Sequence, residues 1–404
     1  MSCSELTAAA SRQSVVARDE AGAAARWRRH TDRIGRHTDQ LEKSAEAAWE
    51  HFVEAHPAGD VVQTAAWGRS KAAMGFRTAI ATSHTPDGEL EGGGLVVARR
   101  VALLGGRLPL LTVGYVARGP LVTGDDPARI DRVLDALERT ARQLGVAHLV
   151  VQPAAGGEAV TARLTARGYD AGAVPVAPVC TLVLDLEAEL DDLIAGMSSS
   201  QRRNLRKAKK LGVQVRRADE ADLETFHALQ VATAERQGYP PLTLAYLQAQ
   251  WRALRPLGAA EIFLASTPEA PQRPIAGTLV TAYAGTVVDK VPGWTGEAPA
   301  LNPKLACIWA AISWAKSSGF RRFDLGGLDC AVAAAVLNGE RATEEHGERN
   351  PAAFKLRFGG RVLILPEARQ RTLNPVLRPA VRFAWQQLAG NRRLKSFING
   401  LRNG

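Results

Sequence analysis

Residues 127–145, PARIDRVLDALERTARQLG, set Ile130, Val133, Leu134, Leu137 and Ala141 at spacings of three and four, which predicts an amphipathic helix closed by Gly145. Shorter runs around it read as strands, GGGLVVARRVAL at 92–103, LPLLTVGYV at 108–116 and VAHLVVQP at 146–153. VQTAAWGRSKAAMG at 62–75 reads as a helix before them, and CTLVLDL at 180–186 as a strand after a turn at Gly168. The second half repeats the alternation. Helices are expected over 220–231, 241–254 and 303–319, the last burying Leu305, Ile308, Ala311, Ile312 and Ala315, and the run 259–291 reads as hairpin-rich sheet. In each half a helix of about four turns leads into a short strand, VAHLVV in one and FRRFDL in the other. The fold class expected is α/β, with two related layered domains in tandem.

The expected divisions are a basic extension at 1–45, a first domain at 46–185, a second at 186–369 and a C-terminal helical segment at 370–404 that packs on the first domain. The extension reads equally as a loose arm or a peripheral helix. Near the other end, FKLRFGG at 354–360 reads as a strand, with Phe354, Leu356 and Phe358 on one face and Lys355 and Arg357 on the other.

At 404 residues, 46% hydrophobic and 23% charged, the chain has material for two ordinary cores, and its apolar runs are too short to span a bilayer. An N-terminus without an apolar stretch argues against secretion, so a cytoplasmic, monomeric protein is expected. Cys3, Cys180, Cys307 and Cys330 are widely spaced and the eight histidines scattered, which predicts reduced thiols, no metal and no cofactor. The formal charge of +10 favours a polyanionic partner without naming one. It concentrates in SSSQRRNLRKAKKLGV at 198–213. There Ser198 and Gln201 match a capping box, and Arg202, Arg203, Arg206, Lys207, Lys209 and Lys210 cover most of a short helix. Contact with a phosphate backbone is the functional reading, and a solvated helix facing EAELDD at 187–192 the structural one.

RRNLRKAKKLGV, then ATAERQGYP, then NPKLACIWAAISWAKSSGFRRFDLGG and finally FKLRFGG resemble, in that order, the Fem-type aminoacyl-tRNA-dependent peptidyltransferases. The resemblance begins at EHFVEAHPAGDVVQTAAWGRSKAAMGF, includes the loop VGYVARGPLV and covers residues 46–380. It implies a pair of acetyltransferase-like domains, here without the long coiled-coil arm of some members. The implied activity is transfer of an aminoacyl group from aminoacyl-tRNA, the co-substrate, to the amine of a small molecule or a nucleotide-linked peptide. By the same resemblance Phe354 and Lys355 serve the transfer and Lys71 and Arg236 hold acceptor phosphates. Asp125 or Asp126 supplies a carboxylate, and the basic helix, with Arg357, lies on the tRNA side. Trp294 stands where a Tyr-rich, serine-containing segment leads to the acceptor. That substitution and the stretch between FDLGG and FKLRFGG leave a peptidoglycan precursor and a specialised metabolite both open.

An aminoacyl ester is already activated, so an amine attacks it without a protein nucleophile or metal. The transition state needs a cation for the developing oxyanion, a proton acceptor and exclusion of water. Two other readings stand beside this one. An acyl-CoA-dependent acyltransferase expects a glycine-rich turn before a helix, which PGWTGEAPALNPKLAC does not supply. A nonenzymatic RNA-binding protein explains the charge alone.

Overall fold

The computed structural model describes residues 44–101, 111–339 and 351–379. The chain divides into two units, residues 1–51 and 52–404. The described part of the first, 44–51, is helical, and this helix, α1, continues to residue 55. Most of the basic extension, with Cys3, lies outside the described residues, as do residues 340–350 and the C-terminal stretch from 380.

The second unit holds two mixed sheets. In the first, β1 (Arg77–His84), β2 (Leu90–Val101) and β3 (Leu111–Ala117) run antiparallel, β4 (Leu121–Val122) adds to β2, and β5 (His148–Gln152) lies parallel to β3. Two helices, α2 (Ala65–Ala72) and α3 (Pro127–Gln143), pack on this sheet, and α4 (Glu158–Ala166) lies against α3. The predicted stripe of α3 is its buried face, where each large aliphatic residue taken from water contributes about 1.5–3 kcal/mol.

The second sheet follows the order β12-β6-β11-β10-β9-β8-β7, formed by Arg361–Ile364, Cys180–Asp185, Arg322–Leu328, Thr286–Trp294, Pro274–Tyr283, Ala260–Ser266 and Gln214–Arg217 respectively. Around it run α5 (Leu190–Gly196), α6 (Ser199–Lys210), α7 (Leu223–Gln237), α8 (Leu244–Leu254), α9 (Pro303–Ser317), α10 (Cys330–Leu337) and α11 (Pro351–Leu356). All five apolar positions expected to face inward from α9 are buried in the core of this half.

Three expectations are corrected. CTLVLDL, grouped with the first domain, is β6 and pairs with β11 and β12 in the second sheet, because its run Leu182–Leu184 is buried on both sides there. FKLRFGG is not a strand: α11 carries Phe354 and Lys355, and the chain turns at Gly359 and Gly360, both with positive φ. Phe354 and Phe358, four apart, stack edge to face at 5.5 Å, so the same spacing that fits alternation also fits a helical turn. Finally, Cys180 and Cys330 are joined by a disulfide across a sequence separation of 150, while Cys307 is free and buried. Cys180 and Leu328 are register partners of β6 and β11, which brings Cys330 alongside.

The chain does return to the first half, as a strand. Past β12, β13 (Arg369–Thr372) pairs antiparallel with β5. The helical stretch expected beyond it, with Val381, Ala384, Trp385 and Leu388, lies outside the described residues. Buried His148 faces β13, with Nδ1 3.2 Å from Thr372 Oγ1 and Nε2 3.3 Å from Gln370 Oε1. Burial lowers its pKa to about 4, against weaker upward pulls from Gln370 and Asp170. Unfolded histidine takes a proton near pH ~6.5, so over that window the unfolded chain binds more protons and stability falls as pH drops toward 4. The loss should be on the order of 3 kcal/mol. Chemical denaturation of the protein and of His148→Gln across this range should show the steeper slope in the former, with the difference centred above about pH 5, where Glu91 and the other lowered carboxylates add little.

Candidate active site

The parallel pairing of β10 with β11 is short. Thr286–Val288 pair with Arg322–Asp324, after which β10 follows β9 and β11 follows β6, each through a register irregularity. Two carboxylates stand where the strands part. Asp324 is buried and accepts hydrogen bonds from the Thr181 hydroxyl and, at 2.7 Å, from the Gly326 N–H. Asp289, half-buried, accepts from the Thr278 hydroxyl of β9.

Lys355 enters this gap from α11. Its Nζ donates to the Gly327 carbonyl at 2.7 Å. Gly326, with φ of 77°, leaves the approach open, since a Cβ there would lie 2.7 Å from the Asp289 carbonyl oxygen and 3.6 Å from Lys355 Nζ. Lys304, in the first turn of α9, sets its ammonium 4.4 Å from the centre of the Phe354 ring. Burial lowers the pKa of Lys355 against the pull of Asp289 and Asp324. It lowers that of Lys304 too, where Asp289 opposes and Lys355 and Arg236 add to the fall. The Asp289 carboxyl is raised by burial, against Thr278 and the two lysines. All three side chains keep some contact with solvent yet lie deep enough to be perturbed, as reactive groups do.

Asp324 also ties this gap to the first half. Arg118, at φ of 53° just after β3, stands 3.4 Å from Asp60 and 3.9 Å from Asp324. A cleft opens here, bordered by Asp60, Arg118, Tyr283, Arg322, Asp324 and Arg361.

The remaining sequence candidates fall in three places. Lys71, on α2, is buried among Tyr246 at 4.5 Å, Phe76 at 5.4 Å and Trp67 at 5.5 Å. Burial, then Lys290 and Arg99, lower its pKa to about 7. The Lys290 ammonium lies over the Trp67 ring at 5.0 Å, so β10 turns Asp289 to one cluster and its next residue to the other. Arg236 joins Trp294 instead, stacked at 5.0 Å, and is within electrostatic reach of Lys304. Arg236 and Lys71 thus belong to two cation groups, not one.

Asp125 and Asp126 sit exposed before α3, where Asp126 caps the helix by accepting from Ala128 N and Arg129 N. On α6, Ser198 caps the Gln201 N–H. Arg202 is turned back to the Ala195 carbonyl at 2.7 Å, closing α5. Arg203, Arg206, Lys207, Lys209 and Lys210 are exposed, and Glu189 of the acidic segment pairs with Lys316 at 3.3 Å. Arg357 follows α11, half-buried, with its carbonyl accepting from Ser198 N at 2.9 Å. Among the described residues no group of His, Cys, Asp and Glu could hold a metal, and no helix is long and apolar enough to cross a membrane. Sequence reasoning missed Asp289, Asp324, Lys304, Lys290, Arg99 and Arg118. The signal for the first was a charged Asp-Lys pair inside an otherwise apolar strand.

A family profile described as an acetyltransferase (GNAT) domain matches residues 197–334. Over 237 residues the chain is 27% identical to the lipid II:glycine glycyltransferase of Staphylococcus aureus, a match covering 55% of this chain and 55% of that relative. The chain thus aligns with about half the length of the curated relatives it matches. The solved structure of FemX superposes with a TM-score of 0.69 at 19% identity, covering 83% of this chain and 98% of FemX. The chain is thus similar in sequence to a lipid II:glycine glycyltransferase over about half its length and in fold to FemX. Its fold is that of tandem GNAT-like domains, as expected from the sequence. Within this fold the parted strands of the second sheet hold Asp289 and Asp324 against Lys355.

Gly326→Ala should close that approach. The left-handed φ strains any side chain and the new Cβ meets the Asp289 carbonyl, so a loss of at least ~1 kcal/mol in stability is expected. A melting curve should show it, together with faster hydrogen exchange in α11.

Proposed function

We propose that the protein transfers an aminoacyl group from aminoacyl-tRNA to the amine of a peptidoglycan precursor. The observation that carries this reading is Lys355, held with Lys304 beside two carboxylates where β10 and β11 part. The curated relatives are named for glycine and lipid II, which makes these the first donor group and acceptor to try.

The reaction needs no covalent intermediate. An amine attacks the ester carbonyl, negative charge develops on the carbonyl oxygen, and the ester C–O bond breaks as the amide forms. Lys355 supplies positive charge to the oxyanion or to a phosphate beside it, and its partly desolvated setting makes that charge count for more than in water. Lys71, Lys290 and Arg99 form a second cationic group, suited to acceptor phosphates. An anion bound there would return Lys71 to its charged form at neutral pH. The five exposed cations of α6 suit the backbone of the donor tRNA. Acyl-CoA use fits less well. The link from β10 to α9 carries one glycine, Gly296, and Pro303 at the first position of α9 removes an N–H that a pyrophosphate would want.

Purified protein incubated with glycyl-tRNA and lipid II should give a glycylated product by mass spectrometry. Lys355→Ala should slow single-turnover transfer by about 10²-fold with tRNA binding and melting retained. Near-normal turnover by this variant would remove Lys355 from the chemistry.

If α6 tracks the tRNA backbone, log affinity should fall against log salt with a slope of about −4. Alanine at any one of Arg203, Arg206, Lys207, Lys209 or Lys210 should reduce the slope by about 1, measured by filter binding. Arg202→Ala should leave the slope unchanged and destabilise the turn after α5 instead.

A further inference from the structure

Transfer to an ammonium requires a proton acceptor, and none of the groups considered so far fills that place. The exposed pair Asp125 and Asp126 lies at the start of α3, where Asp126 is spent on the helix cap. Asp324 is satisfied by a hydroxyl and an amide and also neighbours Arg118. Asp289 differs. It has a hydroxyl donor from Thr278, keeps some solvent contact, and sits on the strand whose carbonyl at the same residue borders the Gly326 opening to Lys355.

We propose that the Asp289 carboxylate takes the proton shed by the acceptor amine during transfer, with Thr278 holding its orientation and Lys355 and Lys304 flanking it. This inference rests on the aminoacyl-transfer reading above. The balance is simple. The incoming R–NH3⁺ gives one proton to Asp289, and the resulting amine attacks the ester carbonyl to form the C–N bond. The C–O bond breaks, the second nitrogen proton goes to the departing ribose oxygen, and Asp289 releases its own proton to solvent. No oxidant, metal or further co-reactant enters.

The groups facing Asp289 are suited to this cycle. Lys355 comes from α11, Lys304 and the Cys307 thiol from α9, Asp324 from β11 and Thr278 from β9. Burial raises the carboxyl, which strengthens it as a base, while the two lysines favour its ionised form. Cys307 is buried and its thiol pushed up, so it stays protonated and adds no charge.

The test is single-turnover transfer from glycyl-tRNA, first to lipid II and then to hydroxylamine, which is uncharged near neutrality and has no such proton to lose before attack. Asp289→Asn keeps the size and the oxygen that Thr278 addresses. It should lower the rate to lipid II by about 10²- to 10⁴-fold with little change in KM for either substrate, and lower the rate to hydroxylamine by less than about tenfold. In Asp289→Ala, added formate should restore part of the lipid II rate, as it cannot for a purely structural loss. Should the Ala variant not fold, the comparison of the two acceptors with Asp289→Asn still decides. A normal rate to lipid II in Asp289→Asn, or equal losses with both acceptors, would overturn the proposal. Failure of the unaltered protein to transfer glycine to either acceptor would instead remove the aminoacyl-transfer reading, and this inference with it.

Discussion

The parting of β10 from β11 is the constraint on which the rest depends. Two parallel strands that share three residue pairs and then separate leave backbone groups at the split that must find other partners. Here side chains supply them, Lys355 donating to the Gly327 carbonyl and Asp324 accepting from the Gly326 N–H, while β9 and β6 stay paired along the outer edges with register irregularities that begin at Asp289 and Asp324. Charged side chains are tolerated in that interior because the opening admits two lysines as countercharge. Gly326 is required on the same account, since its backbone must turn with positive φ where Lys355 approaches. Fold and chemistry meet at one defect in an otherwise regular sheet.

The way the chain closes its two sheets protects that defect. Each has a parallel pair followed by an antiparallel strand brought from elsewhere, β13 onto β5 and β6 onto β11. One of those strands precedes the body of its sheet in sequence and the other follows the whole second half. The first sheet is therefore completed only after the second, whose strands β6 to β12 follow one another along the chain. Arg118, between Asp60 and Asp324, ties the halves again at the site itself. The Cys180–Cys330 bond fixes β6 to α10, next in the chain to the strand that bears Asp324. Such redundancy limits how far the lysines and carboxylates can drift apart, and catalytic geometry tolerates little drift.

Regular periodicity was legible along the sequence, and so α3, α6, α9 and the hairpins of the second sheet were readable from it. What resisted reading was fixed by distant partners. The FKLRFGG segment satisfies both a period of two and a spacing of four, and only Ala352 and Ala353 buried beneath it select the helix. Cys180 and Cys330 are 150 residues apart, a separation at which no local pattern reports contact. β6 reads as the end of one domain because strands are expected beside their sequence neighbours. The family resemblance pointed to Phe354, Lys355, Lys71 and Arg236, the last two as one group where the structure has two. Asp289 and Lys304 were passed over. A charged residue in a strand or beside a helix-opening proline looks solvent-facing until the opposite wall is known.

The two carboxylates at the split finally argue for a division of labour. Both are acidic residues in one low-dielectric gap, yet their surroundings differ. Asp324 has a hydroxyl and an amide donating to it and a guanidinium nearby, which fix its position. Asp289 has one hydroxyl and two lysines beside it, and burial raises its carboxyl, so of the two it is the one placed to exchange a proton. The lysines gain from the same arrangement. Each carboxylate holds Lys355 charged in a place that would otherwise discharge it, and a charged Lys355 is what an oxyanion on the ester would meet. Because Asp324 also favours the charged form of Lys355, loss of the Asp289 charge removes the base and still leaves one countercharge for the cation.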